Sequence, residues 1–167
     1  MECGFSLGSN LGDRLASLRA ARRRLAALPG VRELAAAPIY ETEPVGVQPE
    51  FRHLPFLNTV VILEGEHTPA EWRRLTAQIE DELGRVRSAD KFAPRTLDID
   101  VLYVGDCCVD EGGLIIPHPR WRLRRFVLQP LADVRPHLLL PGATQTILQT
   151  LEKLPPGEAV TRVCTTW

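Results

Sequence analysis

Arg85-Val86-Arg87-Ser88-Ala89-Asp90-Lys91-Phe92-Ala93-Pro94-Arg95-Thr96-Leu97-Asp98-Ile99-Asp100-Val101-Leu102-Tyr103 is a basic loop running into a strand that carries two acids. If residues 96–104 are extended, side chains alternate between faces. Asp98 and Asp100 then share one face, while Leu97, Ile99, Val101 and Tyr103 share the other and belong to a core. At roughly 3.3–3.4 Å of rise per residue, the two acidic Cα atoms lie about 6.7 Å apart and both carboxylates enter one volume. Two hard cations such as Mg²⁺ would satisfy such a pair, since Mg²⁺ takes oxygen ligands. The upstream Arg85, Arg87, Lys91 and Arg95 are what polyphosphate oxygens require. The competing reading is an ion-pair network on a solvated sheet face, the commoner outcome for an acid pair beside arginines.

Working outward, residues 3–8 alternate weakly and lead into Ser9-Asn10-Leu11-Gly12-Asp13-Arg14, a turn in which Asn10 and Asp13 have the spacing of a capping box. Leu15, Leu18, Leu25 and Leu28 follow on one helical face, and Pro29-Gly30 stops that helix. Gly8 and Gly12 fit neither the Walker nor the dinucleotide spacing, so a tight turn is the reading there. Residues 31–42 predict a strand weakened at Pro38, and 43–55 a loop long enough to be functional. Residues 56–64 predict a strong strand with Phe56, Asn58 and Val60 on one face. Thr68-Pro69-Ala70-Glu71 is a capping box opening a second helix, with Trp72, Leu75, Ile79 and Leu83 at helical spacing and Gly84 as the stop.

Beyond the acidic strand, Val109 and Leu114-Ile115-Ile116 predict a hairpin. Pro117-His118-Pro119-Arg120 stiffens the entry to an arginine and aromatic cluster at 121–126. Residues 126–131 return to the core, 144–151 form a short helix, and the tail after Pro155 is expected to be loosely held. The expected class is α+β: a ferredoxin-like β-α-β-β-α-β antiparallel sheet with two helices on one face and a C-terminal appendage, one domain over residues 1–167.

Hydrophobic content of 44% and charged content of 25% suit a soluble globular protein, and a net charge of −1 argues against a nucleic-acid coat or an anionic-membrane binder. No apolar run reaches the length of a membrane span, and Met1–Arg14 lacks a signal-peptide core. The 4 cysteines, two of them adjacent at Cys107-Cys108, have neither zinc-site nor disulfide-framework spacing. A reduced, cytoplasmic protein is expected, acting on small molecules as a monomer, with no nucleic-acid or membrane partner.

Six segments carry a resemblance: Gly8-Ser9-Asn10-Leu11-Gly12-Asp13, Tyr40-Glu41-Thr42-Glu43-Pro44-Val45-Gly46, Phe56-Leu57-Asn58, Gly84-Arg85-Val86-Arg87, Pro94-Arg95-Thr96-Leu97-Asp98-Ile99-Asp100 and Ile116-Pro117-His118-Pro119. In this order, from Gly4 to about Pro141, the chain closely resembles the 6-hydroxymethyl-7,8-dihydropterin pyrophosphokinases of folate biosynthesis. The resemblance implies transfer of the β,γ-diphosphate of ATP to the pterin hydroxymethyl group, leaving AMP. It implies two Mg²⁺ ions on Asp98 and Asp100, with metal-assisted loss of the hydroxyl proton, and a catalytic set of Arg85, Arg95, Asp98 and Asp100. Phe56 and Phe126 would sandwich the pterin and Asn58 would read its edge, aided by Thr42, Glu43 and Val45. ATP would meet Glu80, Arg87, Phe92, Arg95, Val101, Ile115, His118 and Arg124, with residues 84–95 closing as a lid. The chain departs from the family pattern at Phe92 (often tryptophan), Lys91 (commonly arginine), Ala77 and Gly113.

Two other classes compete. A ferredoxin-like binding module would need exposed aromatics in an RNA-binding pattern, which is absent, and would not need the two acids. A metal-dependent phosphoryl transferase with another acceptor would keep Asp98 and Asp100 but not the set Phe56, Asn58 and Phe126.

Overall fold

A computed structural model describes residues 1–44, 49–86, 93–157 and 159–167. The first half of the chain builds β1 (Glu2–Ser9), α1 (Arg14–Ala26), β2 (Arg32–Ala36), β3 (Ile39–Thr42), β4 (Phe56–Glu64) and α2 (Pro69–Glu82). The second half adds β5 (Asp98–Val104), a hairpin of β6 (Val109–Glu111) and β7 (Leu114–Ile116), α3 (Arg125–Val134), α4 (Ile147–Lys153) and β8 (Val160–Cys164). The main sheet is 6-stranded in the order β5-β1-β4-β3-β8, with β2 also pairing β4, and its pairings are antiparallel.

Local signals account for most element boundaries. Thr68 and Glu71 exchange the hydrogen bonds of a capping box, and Pro69 starts α2, where its missing N–H costs nothing. Pro38 separates β2 from β3, as its lack of a donor requires. Asp13, not Asn10, caps α1: its carboxylate accepts from the Ala16 N–H at 3.0 Å. Asn10 does something the sequence did not suggest, since its side-chain oxygen accepts from the Arg95 N–H at 2.8 Å and its own N–H donates to the Arg95 carbonyl at 3.2 Å. The two ends of the molecule's loop chemistry are thereby tied together.

Two apolar cores flank the sheet. On one face Cys3, Phe5, Leu7, Leu57, Val61, Leu63, Ile99 and Val101 pack with Leu18 and Leu25 of α1 and Trp72 and Ile79 of α2. On the other, Val60, Ile62, Leu102 and Tyr103 pack with Val127, Leu128 and Leu131 of α3 and Ile147 and Leu151 of α4. The C-terminal part therefore covers the second sheet face instead of hanging off a two-layer unit. The tail is not loose either: β8 pairs with β3, and the Trp167 indole N–H donates to the Ala37 carbonyl at 2.8 Å.

Tyr103 lies on the opposite face from the one its spacing implied. The β1–β5 register shifts between Gly4 and Phe5, so Gly4 opposes Tyr103 while Phe5 opposes Val101. One extra residue on β5 reverses the alternation beyond it. Gly4 makes this possible, because a Cβ there would lie 2.2 Å from the Tyr103 ring.

Candidate active site

The second sheet face brings most of the candidate site residues together. Cross-strand partners share a face, and one row runs from β5 to β8 through Asp98, Gly8, Asn58, Tyr40 and Arg162. A second row places Asp100 opposite Ser6, and Ser6 opposite Val60. Between the acids and Asn58, β1 presents Ser6 and Gly8 on this face, which leaves a trough there. A Cβ on Gly8 would stand 2.9 Å from the Asn58 side-chain oxygen and 3.9 Å from the Phe56 ring. Gly8 is thus a candidate site residue that the sequence alone assigns to a turn; its alternation with Phe5 and Leu7 is the available signal.

At the acidic end, each carboxylate is met by cations. Arg85 Nη1 donates to Asp98 Oδ1 at 2.6 Å and Arg95 Nη1 to Asp98 Oδ2 at 3.0 Å. Arg124 Nη1 donates to Asp100 Oδ2 at 3.2 Å, and His118 Nε2 lies 3.7 Å from the same oxygen. Glu80 is buried below this layer, accepting from Arg85 and, at 2.6 Å, from the Ile99 N–H. Burial opposes the Arg85 charge, yet Asp98 and Glu80 outweigh it and raise its pKa. For His118, burial dominates over the attraction of Asp100 and, with Arg124 and Arg120 alongside, lowers the pKa, so the ring favours its neutral form. Burial also lowers the Arg124 pKa, against the pull of Asp100.

At the other end, Asn58 Nδ2 donates to Thr42 Oγ1 at 2.8 Å, fixing the asparagine rotamer inside the sheet. Phe56 opens β4 opposite Thr42 and is half-buried. Phe126 stands in the first turn of α3, partly buried, with the Arg124 guanidinium carbon 5.4 Å from its ring centroid. Arg124 therefore touches both Asp100 and the Phe126 ring, joining the two ends of the trough. Glu43 lies past β3 and lines, with Thr42, Arg52, His53 and Pro55, a groove of about 550 Å³. The hairpin brings Ile115, 40% exposed, alongside β5, and the His118 N–H donates to the Leu102 carbonyl at 2.8 Å. Val101 is buried on the α1–α2 face, so only its backbone is offered to this side. Val45, Arg87 and Phe92 lie outside the described residues.

The arrangement can hold a polyanion at the arginines, divalent cations at the acids and a flat polar ring at Asn58. The sequence profile of the 7,8-dihydro-6-hydroxymethylpterin-pyrophosphokinases matches residues 4–136. The chain belongs to this family. A Methylorubrum extorquens 2-amino-4-hydroxy-6-hydroxymethyldihydropteridine pyrophosphokinase is 41% identical over 153 residues, 92% of this chain and 93% of that protein. The Bacillus subtilis pyrophosphokinase is 42% identical over 130 residues, covering 78% of this chain and 75% of its own. The fission yeast folic acid synthesis protein fol1 is 36% identical, and this chain spans 20% of its length. Among solved structures, Plasmodium falciparum HPPK-DHPS with pteroate superposes with a TM-score of 0.70 at 15% identity, over 91% of this chain and 42% of that one. At that identity the superposition speaks for the pyrophosphokinase fold alone. No helix among the described residues is long and apolar enough to cross a membrane.

Proposed function

We propose that the chain transfers the β,γ-diphosphate of ATP to the hydroxymethyl oxygen of 6-hydroxymethyl-7,8-dihydropterin, releasing AMP, a reaction of folate biosynthesis carried by the family to which it belongs. The observation that carries this reading at the level of residues is the row Asp98, Gly8, Asn58, which sets a phosphate-and-metal end and a ring-binding end in one trough.

The donor set fits magnesium. Asp98 and Asp100 supply only carboxylate oxygens, from one strand face, and the arginines around them now carry the compensating charge. Asp98 and Asp100 would hold two Mg²⁺ ions, whose chemistry there would be to neutralise charge on the leaving AMP and to acidify the acceptor hydroxyl. Arg85, Arg95 and Arg124 would turn their forks from the carboxylates to phosphate oxygens, bidentate donors to spread negative charge. Glu80, being buried, would hold Arg85 in place instead of touching nucleotide. His118 would donate from Nε2, because its Nδ1 accepts the Arg120 N–H at 3.2 Å. Ile115 and the Val101 backbone would border the adenine.

Phe56 and Phe126 would stack on the two faces of the pterin while Asn58, with Thr42 locking it, reads the amide-like edge. Glu43 and Val45 would close the slot from the loop, and Arg87 and Phe92 would complete the lid that excludes water. The order β5-β1-β4-β3 with α1 and α2 on one face supports a ferredoxin-like core. We read residues 1–167 as one pyrophosphokinase domain, working as a cytoplasmic monomer. Purified protein with Mg²⁺, ATP and the pterin should yield AMP and the pterin diphosphate in equal amounts. Release of ADP in place of AMP would sink diphosphate transfer.

A further inference from the structure

We propose that Tyr40, Asp133 and Arg162 form a positioning clamp for the pterin slot, its last member supplied by the C-terminal strand beyond the stretch that defines the family. The inference rests on the assignment of Phe56, Asn58 and Phe126 to pterin.

The three side chains form a closed network. The Tyr40 hydroxyl donates to Asp133 Oδ2. Arg162 donates to the Tyr40 oxygen from Nη2 at 2.9 Å and Nε at 3.2 Å, and to Asp133 Oδ1 at 3.3 Å. Its guanidinium carbon also lies 5.6 Å from the Tyr40 ring centroid. Tyr40 is buried, and it is the cross-strand partner of Asn58 on one side and Arg162 on the other. Arg162 lies past residue 136, where the family match ends.

The helix that bears Phe126 needs such a tie. α3 begins without a side-chain cap, and Pro130 inside it has no N–H to offer the Phe126 carbonyl one turn earlier. Beyond the bonds of the Val127 and Leu128 N–H groups to the Arg124 carbonyl, tertiary contacts hold the helix at its two ends: Arg124 on Asp100 and Asp133 on Tyr40. Asp133 follows Phe126 by seven residues, close to two turns at about 3.6 residues each, so both project from the same side of α3. Pinning Asp133 to Tyr40 fixes the rotation and height of Phe126 over the strand that carries Asn58. Ring stacking is sensitive to that height, because a gap of roughly 0.5–1 Å already forfeits a quarter to a half of the dispersion attraction.

The test titrates the full-length Tyr40→Phe and Arg162→Met proteins with hydroxymethyl-dihydropterin in the presence of Mg²⁺ and an unreactive ATP analogue. Pterin Kd should rise roughly three- to tenfold in each, as loss of one or two hydrogen bonds at a distance allows. The Kd of the ATP analogue and the kcat at saturating pterin should stay within about twofold. Arg162→Lys, which keeps a donor, should recover part of the pterin affinity. Unchanged pterin affinity in a variant of lowered Tm would reduce the network to scaffolding and overturn the clamp, as would equal weakening of both ligands. If the wild-type protein fails to bind the pterin, the parent assignment falls and the clamp with it. Wild-type binding that the variants match removes the clamp alone.

Discussion

The two faces of the central sheet are built from the same strands and both carry apolar cores, but at the Ser6–Gly8 end of β1 they obey opposite rules. Along β1, Cys3, Phe5 and Leu7 point to α1 and α2 and are fully buried, with Phe5 edge-on to Trp72 at 4.8 Å between ring centroids. The intervening residues point the other way: Gly4 makes room for the Tyr103 ring, while Ser6 and Gly8 give up packing volume. One face is filled along its whole length; the other is filled by α3 and α4 over Val60, Ile62, Leu102 and Tyr103 but hollowed beside Ser6 and Gly8, so that polar groups on β4 and β5 can converge there. Alternation at a period of two lets a single strand do both, because every second residue is free of the core.

The contrast is broken most sharply at the acids. Asp98→Ala or Asp100→Ala should lower diphosphate transfer by roughly a thousandfold or more, since on the proposed reading each would remove a cation ligand worth several kcal/mol to the transition state. Thermal stability should hardly move. A variant with near wild-type rate would return the pair to a surface ion-pair network. The mirror experiment is Phe5→Ala on the filled face. There the cost should be about 3–5 kcal/mol of stability by denaturant unfolding, with KM for the pterin unchanged in the folded fraction. A large rise in KM would show that the two faces are not independent. Gly8→Ala tests the hollow directly: its methyl would meet the Asn58 oxygen at 2.9 Å, so pterin affinity should fall roughly tenfold, as misplacing one buried hydrogen-bonding group implies. Undiminished pterin binding would move the slot elsewhere.

The filled face was the easier one to read from sequence. Leu18, Leu25, Trp72 and Ile79 announce their helices by spacing, the capping box at Thr68 and Glu71 marks a start, and Pro38 marks a break. The acids were equally plain, since two carboxylates spaced by one residue on a strand must share a face. What escaped depends on partners distant in the chain. Tyr103 changes face because Gly4, far upstream, has no side chain to block its ring. The segment 160–164 is too polar to read as a strand by itself, and pairing with β3 makes it one. Asn10 has the spacing of a cap, but its side-chain oxygen instead accepts from the Arg95 backbone, 85 residues later. The clamp on Tyr40 draws on Asp133 and Arg162, separated from it by 93 and 122 residues. Each of these is a tertiary choice among locally acceptable alternatives.

A control acid lies on the hollow face itself. Glu2 has the same strand parity as Ser6 and Gly8, but it lies at the far end of β1 from Asp98, beyond the Tyr103 ring. Arg135 donates to Glu2 Oε2 at 3.0 and 2.8 Å, and Tyr103 donates to Oε1 at 2.7 Å. Burial would raise its pKa, yet the Arg135 and Tyr103 hydrogen bonds outweigh it and hold the carboxyl below its ordinary value of 4.5. A carboxylate whose folded pKa is depressed contributes stability above its unfolded pKa and loses that contribution as pH falls through the folded value. Glu2→Gln should therefore cost no more than about 1 kcal/mol at neutral pH, given its partial exposure, and should flatten the acid limb of stability below pH 4.5. Its transfer rate should match the wild type. Parallel acid limbs in the two proteins would remove Glu2 as a source of that pH dependence. A lowered rate would mean that the trough's chemistry extends along all of β1, and that being on the hollow face, more than lying near Asp98, is what makes an acid functional here.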